Sequence, residues 1–363
     1  MQNPLLIQEL VDECLSYLFA SDLRACALVN KSWSHAAQRS IFGVVSVPRS
    51  LRVWKRLDRI LHASSHLGSN IHTLILWRDT TVNIELFENI CNLHFPCLQI
   101  VSIHLICVLT AWSAQALQRL LSLPTVRQVE MDCNFTEYTF QDFHSIWDEC
   151  SPDIRRLRLR CHGMALAPLH PLYSFQRRTS PPITLESLKV DPTTNIDDWL
   201  NHDLCPFDLS QLVSLSGCSM PMFSWPRLTS ALQTIETLEF VLPSLGTAVV
   251  DLSSFPNLKF FRLRVHPLER ALDNLSNTLS TIPPSSRIRQ IVFCLDTPQS
   301  SAFQLIDFKV AALQMQHLEG VGLEMDADRF AQWAPYCHRL GMKNLLCRTD
   351  PDWFEHRLSH TAG

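Results

Sequence analysis

Glycine is scarce in this chain, with nine residues in 363, while proline reaches 21. Nucleotide-binding turns cluster glycines where the backbone must approach a phosphate, and no such cluster exists here. The nearest approach, Gly320-Val321-Gly322, is too short to cradle one. Charge is limited as well: charged residues make up 18% of the chain, and the net charge is −4. That balance fits neither a surface that coats nucleic acid nor a polyacidic tail. Long apolar runs are missing too. No stretch approaches the roughly 20 residues that span a bilayer, and the run from Val101 to Trp112 is broken by Ser102 and His104. Met1 to Leu18 carries Glu9, Asp12 and Glu13, which would interrupt the apolar segment of a signal peptide. These absences predict a chain of the cytoplasm, the nucleus or both, with no nucleic-acid or membrane partner.

Catalytic constellations are lacking in the same way. The 13 cysteines are odd in number and scattered. Without an export signal they read as reduced thiols, buried as small hydrophobes. The sequons at Asn30, Asn134 and Asn274 then carry no meaning as glycosylation sites. Cys91-x-x-His94-x-x-Cys97 comes nearest to a metal site, but zinc needs three or four converging ligands. These three straddle a helix end and Pro96, so buried thiols at a seam are the better reading. Neither a metal nor a cofactor is expected. No Gly-x-Ser-x-Gly elbow is present, and no cysteine stands in a nucleophile signature. Asp197-Asp198 and the pair Glu324 and Asp326 fall at expected helix starts or loops, where acids suit the helix dipole. The chain reads as non-catalytic.

What is present is a period. The phrase apolar-x-x-apolar-x-apolar begins at Ile71, Leu98, Val126, Ile154, Leu185, Leu212, Ile235, Leu258, Ile288 and Leu318. Successive starts differ by 27, 28, 28, 31, 27, 23, 23, 30 and 30 residues. That run matches the leucine-rich-repeat period, slightly stretched. Within each phrase the fourth and sixth residues alternate along a strand and face one side. Between phrases, Ile84-Phe87-Ile90-Cys91, Ala116-Leu117-Leu120-Leu121, Phe140-Phe143-Ile146-Trp147 and, less cleanly, Phe303-Ile306-Phe308-Val310 follow helical spacing. Several of these segments stop at a proline: Pro96, Pro124, Pro152, Pro256. The asparagine that normally follows each strand is matched only by Asn134, and the phrase ending at Gly217 is the weakest.

The first 45 residues read as three short helices with no strand phrase. Ser21 is the expected N-cap of the second, and Trp33 is expected to be buried between helices. From Arg49 to His66 a further amphipathic helix sets Leu51, Trp54, Leu57, Ile60 and Leu61 against Arg49, Arg52, Lys55, Arg56 and Arg59. That basic face is read as solvated, and the helix as a connector. Arg156, Arg158 and Arg160 alternate with core positions, and Arg262 and Arg264 do so later. Arginine forks bind carboxylate or phosphate, which makes these five the candidate substrate contacts.

The N-terminal residues Leu6-Ile7-Gln8-Glu9-Leu10, Cys14-Leu15-Ser16-Tyr17-Leu18 and Ser21-Asp22-Leu23 through Leu28-Val29-Asn30-Lys31-Ser32-Trp33 resemble the F-box. Ile7 stands where that family has proline, with Pro4 displaced upstream. Together the period and the resemblance lead to the expectation of an α/β architecture: a three-helix F-box module over 1–45, a connecting helix over 46–70, and a leucine-rich-repeat solenoid over 71–349. The solenoid would be a curved parallel sheet with helices on its outer side, and 350–363 a C-terminal helix or tail. The resemblance also implies a substrate-recognition subunit of a Skp–cullin–F-box ubiquitin ligase, which serves ubiquitin-dependent protein degradation. Pro4, Leu5, Leu6, Leu10, Leu15, Leu18, Leu23, Leu28, Val29 and Trp33 would then meet the Skp adaptor, and through it a cullin. The repeats would bind a protein substrate. The alternative is a leucine-rich-repeat scaffold or regulator that assembles no ligase.

Overall fold

The computed structural model describes residues 8–79, 82–135, 140–163, 181–191, 197–203, 205–218, 226–242, 249–265, 269–295, 317–326 and 344–348. It divides into two units, Met1–Leu185 with Thr193–Asp208 and Glu186–Pro192 with Leu209–Gly363. Both are α/β, with parallel strands joined through helices or turns.

In the first unit, helices α1 (Gln8–Ser16), α2 (Ala20–Cys26) and α3 (Lys31–Phe42) precede the sheet. Five parallel strands follow in chain order: β1 (Val44–Val47), β2 (Thr73–Arg78), β3 (Ile100–Val108), β4 (Gln128–Phe135) and β5 (Arg156–Gly163). Between them run α4 (Leu51–Ala63), α5 (Ile84–Cys91), α6 (Ala111–Leu121) and α7 (Phe140–Ser145), each touching the next. The unit closes with β6 (Ile183–Thr184), α8 (Asp197–Leu200) and β8 (Phe207–Asp208), where β6 and β8 pair in parallel. The second unit holds β7 (Ser187–Val190), β9 (Ser214–Cys218), β10 (Thr237–Leu242), β11 (Phe260–Val265), β12 (Gln290–Leu295), β13 (Gly320–Asp326) and β14 (Asn344–Arg348). These are also parallel and in chain order, with the short helix α9 (Pro226–Thr229) and the longer α10 (Glu269–Ser280) between them.

One backbone device recurs within both units. In most phrases the carbonyl of the second residue accepts two successive amides from the next phrase of the same unit. Gln99 accepts Arg127 and Gln128, Arg127 accepts Arg155 and Arg156, and Glu236 accepts Lys259 and Phe260. Just before, a turn across the proline position ties the first apolar residue three places back, as in Leu98 to Phe95, Val126 to Leu123 and Leu258 to Phe255. Phrase positions then align strand by strand: Leu74, Val101, Val129 and Leu157 form one row, and Leu76, Ile103, Met131 and Leu159 the next. All eight are buried.

Strands lie both before the first phrase and after the last. In the first unit they begin at Val44, not at the phrase of Ile71, because Gly43 already offers the double-accepting carbonyl to His72 and Thr73. The matching phrase is Phe42-Val45-Val47, whose first residue also ends α3. At the far end β14 pairs with β13 through Leu323↔Leu345. In sequence, Lys343 stands where that phrase would need its middle apolar residue. The weak phrase at Gly217 is a bulge: Phe240 pairs with Cys218 in place of Gly217, whose φ is 75°. A Cβ there would also collide with the Val190 carbonyl oxygen, so glycine is required. The stretch around Phe303 and the segment 350–363 lie outside the described residues.

Trp199 and Phe207 are fastened to α7 and the turn after it by aromatic packing. Phe143 and Trp147 meet Trp199 and Phe207 edge-on, with centroids 5.1 Å apart in both the Phe143–Trp199 and Trp147–Phe207 pairs. Trp199 donates its indole N–H to His144 Nδ1 at 3.0 Å, so the neutral ring carries its proton on Nε2. Burial, helped by His202, lowers the His144 pKa from 6.5 to about 4. The unfolded chain therefore takes up this proton as pH falls through about 6.5, whereas the folded chain resists until about 4. Acidification across that window should cost stability at up to roughly 1.4 kcal/mol per pH unit. Urea unfolding of the parent chain and His144→Gln at pH 7, 5.5 and 4.5 checks this. The variant should lose less stability on acidification, and parallel losses would contradict it.

Candidate docking faces of the helical module and the strand surface

The three N-terminal helices close a small core of their own. Val11, Leu15, Leu23, Ala36 and Ala37 are buried together, with Cys26, Ala27, Trp33 and Ile41 packed against them. Arg39 binds Asp12 with two contacts of 2.7 and 2.8 Å, tying α3 to α1. Asn30 caps α3 by accepting the Trp33 amide at 3.0 Å. Ser21 does not cap α2: the helix starts at Ala20, with Phe19 extended before it and no side-chain cap.

What this core leaves outside is unusual for so small a module. At the turn between α1 and α2, Tyr17 is 76% and Phe19 80% exposed. After α2, Leu28 is 88% and Val29 62% exposed. Their backbones are held, since the Leu28 and Val29 amides donate to Ala25 and Cys26. The turn itself therefore presents the side chains outward. Leu10 and Leu18 are exposed as well.

The predicted adaptor set is thus divided. Leu10, Leu18, Leu28 and Val29 face outward, while Leu15 and Leu23 belong to the module's own core and cannot meet a partner. Trp33 is half-buried against that core, not enclosed by it. Pro4, Leu5 and Leu6 lie outside the described residues. Tyr17 and Phe19 are exposed beside this set but lie outside it. Their signal in the sequence is three consecutive apolar residues, Tyr17-Leu18-Phe19, too closely spaced for one helical face.

The strand face not used by the core differs between the units. In the first it is half-exposed and ordered by charge. Register sets Trp77, His104, Asp132 and Arg160 in one row, with Ile75, Ser102, Glu130 and Arg158 beside it. Trp77 and His104 stack 3.7 Å apart, and the Arg49 guanidinium lies 5.6 Å over the Trp77 ring. Asp132 stands 3.5 Å from His104 and 3.7 Å from Arg160. Burial lowers the His104 pKa, with Asp132 opposing. Arg156 and Arg160 are exposed and Arg158 half-exposed, but their neighbours on β4 are Gln128, Glu130 and Asp132. The surface is a column of three arginines beside a column of Gln128, Glu130 and Asp132, so both signs of charge meet there.

In the second unit the same face is buried around Glu239, Arg262 and Glu324. Arg262 is 2% exposed, so it is not the surface contact that its position in the strand implied. It grips Glu324 through two contacts of 2.7 Å, reaches Glu239 at 3.3 Å, and donates Nε–H to the Cys294 sulfur at 3.1 Å. Arg264, partly exposed, stands 3.7 Å from Glu239. Burial opposes ionisation of Glu239, but Arg262, the Ser216 hydroxyl, Lys189 and Arg264 outweigh it and hold its pKa below the ordinary value. Burial pushes the Cys294 thiol up to about 12, so it stays protonated and donates to Glu324 at 3.2 Å.

Among the described residues no group of His, Cys, Asp and Glu could hold a metal ion, and no helix is long and apolar enough to cross a membrane. Of the Cys91, His94 and Cys97 trio, Cys91 is buried in α5 and His94 is exposed. No protein family matches this chain, and no curated protein matches it.

Leaving one partner of a buried charge pair unmatched costs roughly 3–5 kcal/mol, whereas replacing both by apolar groups can be near neutral. Arg262→Met should therefore lower urea stability by several kcal/mol, and Arg262→Met with Glu324→Leu should recover part of that loss. A single variant indistinguishable from the parent would mean that the pair is open to solvent.

Proposed function

We propose that this chain is a substrate-recognition subunit of a Skp–cullin–F-box type ubiquitin ligase. In this reading the three-helix module is an F-box that docks the Skp adaptor, and through it a cullin. The strand-and-helix units are leucine-rich repeats that present a protein substrate, and the chain itself catalyses nothing. The observation that carries the reading is the outward display of Tyr17, Phe19, Leu28 and Val29 by a module that already closes a core of its own with Val11, Leu15, Leu23, Ala36 and Ala37. Large apolar side chains exposed together mark interaction surfaces. The seven residues of α2 set the two exposed turns about 10 Å apart, a span one partner can cover.

Substrate contact, in the same reading, falls to the half-open face of β3, β4 and β5. There Arg156 and Arg160 reach solvent beside Glu130 and Asp132, which suits a partner carrying both signs of charge. Arg262 takes no part, since its guanidinium is committed to Glu239 and Glu324.

Co-purification with recombinant Skp adaptor tests the assignment. Leu28→Glu with Val29→Glu should cut adaptor capture by roughly tenfold or more, because two apolar contacts become charges at a desolvated interface. Helix content should be unchanged, since neither residue belongs to the core. Undiminished capture by this variant, or no capture by the parent chain, would favour a scaffold that assembles no ligase.

A further inference from the structure

Helix α4 carries a charge distribution that its packing does not explain. Trp54, Leu57 and Leu61 are buried, and the Trp54 indole donates to the Pro48 carbonyl at 3.0 Å, so one side of the helix is fixed. Opposite that side, at about 100° per residue, Arg52, Lys55, Arg56 and Arg59 fall within a wedge of about 100°. All four are exposed, and among the described residues none of them makes an ion pair or a hydrogen bond. The single acid of the helix, Asp58, is turned away and engaged by His62 at 3.1 Å. Like charges three and four residues apart repel along a helix, and no neighbour relieves them here. Leu51 and Val53, both half-exposed, flank the wedge, and all six residues line one open concavity.

We propose that this outer face of α4 is a docking surface for an acidic, amphipathic segment of a partner protein. Its cations span eight residues, seven rises or about 10 Å of helix, which matches a short run of carboxylates. A long polyanion fits less well: it would extend past the patch onto a chain whose net charge is −4. An anionic membrane would face the same repulsion over a wider area. Leu51 and Val53 add a requirement for apolar residues beside the acids. The surface is separate from the exposed turns of the helical module and does not rest on the adaptor assignment.

Fluorescence anisotropy with the full chain provides the test. The probes are a labelled peptide alternating Glu-Glu-Leu and Asp-Glu-Leu, the same peptide with Gln for Leu, a single-stranded oligodeoxynucleotide of equal charge, and phosphatidylserine–phosphatidylcholine vesicles. The leucine-containing peptide should bind saturably and weaken as salt rises, because exposed charges are screened within about 8–10 Å. It should bind more tightly than the other three probes. Arg52→Glu with Arg56→Glu and Arg59→Glu should weaken it by roughly tenfold or more, whereas Lys at the same positions should nearly preserve binding. Thermal unfolding monitored in parallel separates lost binding from lost folding. The proposal is overturned by tighter binding of the oligonucleotide or the vesicles, by equal binding of the glutamine peptide, or by an unchanged affinity in a folded charge-reversed chain.

Discussion

Within each unit, most successive strands are fastened by a single carbonyl that accepts two amides. This bond forms before the strand proper begins, so it fixes which residue of one strand lies beside which residue of the next. A slip of one place would turn every buried row to the opposite face. With the register held, Leu238, Phe261 and Ile291 meet in one row of the second unit, as Leu74, Val101 and Val129 do in the first. The helices need only cover those rows, and their own apolar stripes can vary. That tolerance explains how α10, with 12 residues, and the three-residue 3-10 turn Leu252–Ser254 can occupy successive connections.

The same register dictates the face left over, and there the two units diverge. Where β4 brings Glu130 and Asp132 beside Arg158 and Arg160, the charges remain partly in water and contribute little to stability. Where β10, β11 and β13 bring Glu239, Arg262 and Glu324 together, the charges are desolvated and depend on one another. The first arrangement is open to a partner, and the second is closed to one.

Much of this was legible in the residues. The ten phrases located ten strands, and the spacing of Trp54, Leu57 and Leu61 located α4. The first strand was hidden because Phe42 serves both as the end of α3 and as the start of a phrase, and the last because Lys343 interrupts its pattern. Arg262 was misplaced for a different reason. Alternation tells which face a strand residue occupies, but not whether that face is covered. Leu15 and Leu23 went wrong likewise, since an apolar stripe on a short helix can be drawn inward by its neighbours or left for a partner. Only the packing of α1 and α2 on α3 decides between these.

Amide hydrogen exchange on the full chain, with and without the Skp adaptor, tests the central claim most directly. Protection should rise in residues 10–30, around the turns that carry Tyr17, Phe19, Leu28 and Val29, while the strand amides, already paired, should not change. Protection confined to the strands of either unit, or none anywhere at saturating adaptor, would contradict it.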